Sequence, residues 1–156
     1  MKNFSSSQSG IFNVRVAVAV VLCTFAAALG WLSFAANPPS GTITTAGPAV
    51  TWNGTSGTGA PTAGGESECA PDGSNCDTFS LTISGTPSDW ATANKRVHVQ
   101  INWLTPSSDY DMFIHRGDLT GPIVVESANG GTTQEQGDLD PTRPNIGTGL
   151  FTVHVV

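Results

Sequence analysis

RVHVQINWLTPSSDYDMFIH, residues 96–115, is the stretch that decides the fold. Its first half alternates apolar and polar side chains, the period-two pattern of a strand with one buried face. A polar loop follows at residues 104–108, and a second alternating run begins near residue 109. The inward positions are Val97, Val99, Ile101 and Trp103, then Tyr110, Met112 and Ile114. This arrangement predicts a β-hairpin.

Further short strands are predicted on both sides of this stretch. One runs from Asp77 to residue 83, with Phe79, Leu81 and Ile83 facing inward. Others are expected at residues 122–125, at residues 132–136 as a polar edge strand, and at residues 149–156. Turn-forming residues separate them, and no helical period is evident after residue 36. The predicted fold is all-β, an antiparallel β-sandwich of the immunoglobulin-like or jelly-roll-like kind.

Residues 1–36 read as a signal peptide. Lys2 and Arg15 are the only charges before Glu66, and residues 16–36 are nearly all apolar. Small residues near Ala36 favour cleavage there, which predicts an exported protein of the extracellular space or cell envelope. The alternative is an uncleaved signal anchor, because residues 16–36 match the length needed to cross a bilayer. Only in that case would the protein contact a membrane.

Charge and composition divide the rest of the chain. Residues 37–156 contain four basic and twelve acidic residues, a formal charge of −8. Nucleic acid is disfavoured as a partner, because binding it needs a basic surface. Residues 37–65 are rich in Pro, Gly, Thr and Ser and predict a low-complexity linker, within which residues 49–52 could form an edge strand. Residues 66–156 then form the β-sandwich domain.

Cys69 and Cys76 are the two cysteines that follow the signal segment. The six residues between them are turn formers, and an exported protein meets an oxidising environment. The spacing therefore predicts a disulfide that closes a short loop. Two thiols alone do not make a structural zinc site, which needs four ligands.

Asp109 and Asp111 are the carboxylates most suggestive of a metal site. Residues two apart on a strand face the same way, so the two side chains would project together. Calcium is the expected cofactor because it prefers oxygen ligands. Asp77, beside the predicted disulfide, and Glu126 or Glu135 could add oxygens. The alternative is that both aspartates are solvated or form Asx turns in the loop.

Tryptophans and histidines are the side chains of this chain that could bind a ligand or take part in catalysis. Trp52 and Trp90 could form an exposed platform for a carbohydrate, although Trp90 could equally cap the core. His98 and His154 fall on the polar faces of predicted strands, where an exposed imidazole is ordinary, and His115 follows the second run. No serine-hydrolase elbow, zinc-protease motif or phosphate-binding loop occurs in the chain. We therefore expect a protein that is not an enzyme.

Four motifs carry a resemblance to a known family. They are CDTF at 76–79, Val-x-Ile-x-Trp at 99–103, SDYDMFI at 108–114 and GLFTVHV at 149–155. Residues 76–156 resemble the pre-peptidase C-terminal type of β-sandwich, a bacterial accessory domain of secreted proteins. The resemblance implies a non-catalytic module that aids secretion, folding or substrate contact, sometimes with calcium. We expect a protein or polysaccharide partner outside the cell.

Two other functions stay open beside the accessory module. One is a carbohydrate-binding module. The other is a structural subunit of an extracellular assembly that is completed by strand addition. The second follows from the apolar strand at residues 149–156, because domains of the resembled type carry one more strand after it. A missing strand would leave unpaired backbone groups open to another chain.

Overall fold

The computed structural model describes residues 36–54, residue 66 and residues 76–156. The predicted signal segment up to residue 35, most of the predicted linker after residue 54, and Cys69 lie outside these residues. The disulfide between Cys69 and Cys76 therefore stays a prediction. Among the helices of the described residues, none combines the length and the apolarity needed to cross a membrane.

The described chain forms seven strands and one short helix, which confirms the mainly β architecture. A 3-10 turn, Pro106–Ser108, precedes the fourth strand. The elements are β1 Ser40–Ile43, β2 Asp77–Ile83, α1 Pro87–Ala93, β3 Val97–Asn102, β4 Met112–Arg116, β5 Ile123–Ser127, β6 Gln134–Leu139 and β7 Gly149–Val155.

Two sheets contain these strands. The larger has the order β1-β2-β7-β4-β5, and the smaller pairs β3 with β6. All described pairs are antiparallel except β1 with β2, which is parallel. β7 is thus an inner strand with hydrogen-bonded neighbours on both sides. Neither edge of β7 is therefore open to strand addition, and the absence of one further strand after it stays a prediction.

The prediction of a hairpin at residues 96–115 is wrong. Its two strands are β3 and β4, and they belong to different sheets. Alternation of side chains reports which face of a strand is buried, but it carries no information about the partner strand. Between them the 3-10 turn and a residue at φ 23°, Asp109, redirect the chain, so that β4 begins only at Met112.

One hydrophobic core draws residues from both sheets. The inward positions predicted for β2 are confirmed, because Phe79, Leu81 and Ile83 are all buried. β7 contributes Phe151 and Val153. The other buried members are Ala36, Trp90, Val97, Val99, Met112, Ile114, Leu139 and Ile146. The sandwich packing of the two sheets stays a prediction, and the shared core is consistent with it.

Residues 36–54 contain a paired strand and side chains that pack on the core, which corrects the linker prediction for this part of residues 37–65. β1 runs beside β2, and Gly41 is needed there because a Cβ would lie 2.3 Å from Val50 Cγ1. Residues 49–52, expected as a strand, are not one, yet Val50 and Trp52 pack against the core. The composition, rich in Gly, Pro and Thr, predicted a linker because so few apolar side chains make these contacts.

The helix α1 was not predicted, although its start carries a recognisable signal. Thr86 is the N-cap and Asp89 completes a capping box, since each side chain bonds to the backbone of the other residue. Pro87 occupies the first helical turn, where its missing N–H is harmless. Trp90 is buried and donates its Nε1 hydrogen to the Ser84 carbonyl oxygen at 2.9 Å. It caps the core, as expected.

Candidate binding groove and buried histidine–glutamate cluster

A groove of about 830 Å³ opens where β3 ends. One wall is the segment 50–54, and the other is formed by the end of β3 and the 3-10 turn that follows it. Three aromatic side chains, Trp52, Trp103 and Tyr110, line it. The groove therefore collects the half-buried aromatic rings of the described chain at one place.

The aromatic rings are held by their neighbours. Trp52 stacks on Phe79, with centroids 4.3 Å apart. Trp103 meets Tyr110 edge to face at 5.5 Å, an arrangement that the ring quadrupoles favour. The Trp103 backbone N–H donates to the Thr133 carbonyl oxygen at 3.0 Å, which fixes where the chain leaves β3. These contacts restrict the orientations that the ring faces can take.

Polar groups of the groove are mainly neutral. Gln100 and Asn102 project from the same face of β3, and Gln100 Nε2 donates to Asn102 Oδ1 at 2.8 Å. Asp77 is the one charged residue among the described residues that line the groove, and it is buried. Gly54 allows it to lie there, because a Cβ at that position would be 2.8 Å from Asp77 Oδ2.

Of the two tryptophans predicted to form a carbohydrate platform, one is available to a ligand. Trp52 lies in the groove, whereas Trp90 is 2% exposed and cannot present a face to a ligand. Trp103, which the alternation placed in the core, is only partly buried, because β3 ends at Asn102 just before it. The aromatic pair at the groove is thus Trp52 and Trp103.

The predicted calcium ligands do not share one strand. Asp109 is exposed and accepts a hydrogen bond from the Gly131 N–H at 3.3 Å. Burial raises the pKa of Asp111, and the nearby carboxylates of Asp109, Glu135 and Glu126 raise it further. Like charges therefore do gather around Asp111.

Glu135 stands out in this acidic neighbourhood because it is 1% exposed. Burial raises its pKa, but hydrogen bonds from Ser127, Asn129 and Thr132 outweigh burial and leave the pKa lowered. The donors are the Ser127 hydroxyl, the Asn129 N–H at 2.9 Å, the Asn129 side-chain amide at 2.8 Å and the Thr132 hydroxyl at 3.2 Å. Glu135 is thus already satisfied by its own loop.

Asp77, Asp109 and Asp111 do not form a ready ligand set. Within the described ranges, only Glu66, His115 and His154 bring three candidate ligand atoms within 4.8 Å of one another. Calcium binding by the three aspartates stays a prediction.

His115 and His154 meet because β4 and β7 are neighbours. Phe113 pairs with His154 and His115 with Thr152, so the two histidines are diagonal neighbours on the sheet face opposite the core. Both are buried, which corrects the expectation of an exposed His154. Glu66 lies over them and its Oε1 contacts Nε2 of His115 and, at 2.7 Å, Nδ1 of His154.

This cluster was not predicted from the sequence. The alternation places both imidazoles on the strand face opposite the core residues, so it indicated exposure rather than burial. Glu66 is separated from them by 49 and 88 positions, and no local pattern links it to either. His98, by contrast, is exposed as expected and pairs with Asp138 at 2.8 Å.

Comparison of the chain with known protein families, with curated proteins and with solved structures finds no match in any of the three.

Proposed function

We propose that this protein is an exported, non-catalytic β-sandwich module that contacts a neutral polysaccharide through the groove at the end of β3. The observation that carries the proposal is the combination of Trp52, Trp103 and Tyr110 with the amides of Gln100 and Asn102. Sugar rings present apolar C–H faces that stack on aromatic rings, and hydroxyl rims that amides hydrogen-bond.

Charge narrows the ligand class. No Lys or Arg is among the described residues that line the groove, and the acidic residue among them is Asp77. The chain after residue 36 is itself strongly acidic. An anionic glycan or phosphate would be repelled, because like charges in a partly desolvated site are costly. A neutral glycan meets no such penalty.

The resemblance to secreted accessory domains agrees with a non-catalytic role and with an extracellular partner. Such modules hold a protein near its substrate or surface, and they need contact area more than chemistry. The groove volume of about 830 Å³ falls in the range of ligand-binding clefts.

Affinity electrophoresis in gels containing soluble neutral polysaccharides tests the proposal. We expect retardation of the protein by at least one neutral glucan, mannan or xylan. Trp103→Ala should weaken binding at least about tenfold, the factor that corresponds to about 1.4 kcal/mol. Gln100→Ala should weaken it less but measurably.

Gln136→Ala is the matched control. Gln136 is the register partner of Gln100 on β6 and is also exposed, but it does not line the groove. Its substitution should leave retardation unchanged. Absence of retardation by every neutral polysaccharide, or equal losses for Gln100→Ala and Gln136→Ala, would remove the support for this function.

Assembly by strand addition is the second candidate function. In the smaller sheet, β3 and β6 each have one edge without a strand neighbour among the described residues. Such edges can pair with another chain. Light scattering after size exclusion, over a range of concentrations, should find oligomers if this function holds and a constant monomer mass if it does not.

A further inference from the structure

We propose that Glu66, His115 and His154 bind one divalent transition-metal ion of the zinc class. This site is separate from the groove and does not depend on the proposed polysaccharide binding. It is carried by the geometry of three buried or half-buried side chains that converge on one point.

The convergence is a product of the sheet. β4 and β7 place the two imidazoles side by side, with ring centroids 6.5 Å apart. The His115 and His154 side chains are 5% and 3% exposed, and that of Glu66 is 21% exposed. Three ligand atoms lie within 4.8 Å of one another, so a single ion could contact all of them.

The orientation of His115 shows which nitrogen is available. Its Nδ1 lies 2.9 Å from the Gly121 carbonyl oxygen, which can only accept, so Nδ1 carries the hydrogen. In the neutral imidazole, Nε2 then carries a lone pair, and this lone pair points at Glu66 Oε1. Two acceptors facing each other in a buried site require a cation between them, either a proton or a metal ion.

The Gly121 contact is the kind of support that metal-binding histidines have. Ligating imidazoles almost always donate their second N–H to a carbonyl or carboxylate, which fixes the ring. Gly121 can occupy this position because it lacks a side chain: a Cβ would lie 1.9 Å from the Arg116 carbonyl oxygen. The Gly121 N–H donates to the Asp118 carbonyl oxygen at 2.9 Å and closes the loop.

The donor set selects the class of metal. Two imidazole nitrogens and one carboxylate oxygen suit zinc and its transition-metal neighbours, whereas calcium takes six to eight oxygens. Zinc sites are usually four-coordinate. Three protein ligands therefore leave one position for water or for a group that the described residues do not supply.

The test uses the full untagged chain, treated with chelator, dialysed and kept without reductant. We expect calorimetric titration with Zn²⁺ to find one site, and Co²⁺ to give the visible absorption of a four-coordinate nitrogen and oxygen site. Glu66→Gln, His115→Gln and His154→Gln should each weaken Zn²⁺ binding by more than the 10- to 100-fold that loss of a supporting contact typically costs. Zn²⁺ should raise the melting temperature of the unmodified chain.

His98→Gln is the control, because His98 is an exposed histidine that pairs with a carboxylate outside the cluster. It should bind Zn²⁺ as the unmodified chain does. Glu66→Gln preserves size and hydrogen bonding, and circular dichroism establishes that it folds. A chain that binds no Zn²⁺ or Co²⁺, or whose binding survives all three ligand substitutions, would show that the cluster holds protons only and would overturn the proposal.

Discussion

The indole of Trp52 lies flat on the ring of Phe79, with an interplanar angle of 10° and centroids 4.3 Å apart. Phe79 is a core residue of β2, and Trp52 belongs to a segment that follows β1. The stack therefore fastens the segment that follows β1 to the core of the β domain. It also supports one wall of the groove.

Replacing Trp52 with Ala should lower the free energy of unfolding by about 2 kcal/mol, below the usual range for a core Trp because the side chain is only half-buried. Trp52→Phe should recover most of that loss, since it keeps a ring over Phe79. Urea unfolding followed by circular dichroism measures both. Equal stability of Trp52→Ala and the unmodified chain would show that the stack contributes nothing.

The capping box of α1 gives a second prediction. Thr86→Ala removes the side chain that accepts from the Asp89 N–H, and it should cost about 1 kcal/mol of stability. Thr92 is exposed on the same helix, and Thr92→Ala is the control. This substitution should leave the stability unchanged or raise it slightly, because Ala has the higher helix propensity. Thermal unfolding of the two variants, side by side, distinguishes a cap effect from a general effect of losing threonine.

Glu135 should make stability depend on pH. Its pKa is lowered in the folded state, so its contribution is present above the unfolded pKa and is lost as the pH falls through the folded pKa. Glu135→Gln should therefore destabilise the protein by about 1–3 kcal/mol at pH 7 and much less in acid. Asp138→Asn on the same strand is the control, because the pair of Asp138 with His98 is exposed and such pairs contribute little stability. A difference between Glu135→Gln and the unmodified chain that stays constant down to acidic pH would contradict this.

The ionised side chain of Asp111 should lower the stability of the protein, whereas that of Glu135 should raise it. Its pKa is raised in the folded state, so the ionised side chain costs stability once the pH has risen through the folded pKa. Asp111→Asn should stabilise the protein at pH 7 by about 0.5 kcal/mol, and the gain should vanish below the unfolded pKa. Denaturant unfolding at several pH values measures it.

Calcium provides a second readout at the same place. If Asp109 and Asp111 bind Ca²⁺, saturation at a hundred times the dissociation constant should add about 2.7 kcal/mol of stability. The double variant Asp109→Asn/Asp111→Asn should lose this response. Identical melting temperatures of the unmodified chain with Ca²⁺ and with chelator would show that the two aspartates do not bind Ca²⁺.

The disulfide between Cys69 and Cys76 is testable by mass spectrometry of the unreduced protein. Alkylation without reductant should leave both cysteines unmodified, and a peptide that joins them should appear after proteolysis. Closing so short a loop should contribute about 2–3 kcal/mol on the chain-entropy estimate. Two alkylated cysteines in the unreduced protein would refute the pairing.

Local patterns predicted the strands better than their partners. The alternation around Phe79, Val99 and Phe151 identified three strands and their buried faces, because burial of every second residue is written into adjacent positions. The pairing of β4 with β7 joins residues about 40 positions apart, so no pattern among adjacent residues could predict it. The contact of Glu66 with His154 is equally distant in sequence and leaves no local pattern. The helix start at Thr86 does carry a local pattern, the capping box with Asp89.

The inner position of β7 bears on the order in which the domain can assemble. β2 and β4 are not adjacent, and the strand that joins them, β7, is the last of the described strands to be synthesised. Until β7 arrives, β2 and β4 each keep an open edge, and the partly emerged chain is exposed to mispairing. The β4–β5 hairpin can form early, but the large sheet must close late and through distant contacts, which predicts slow folding.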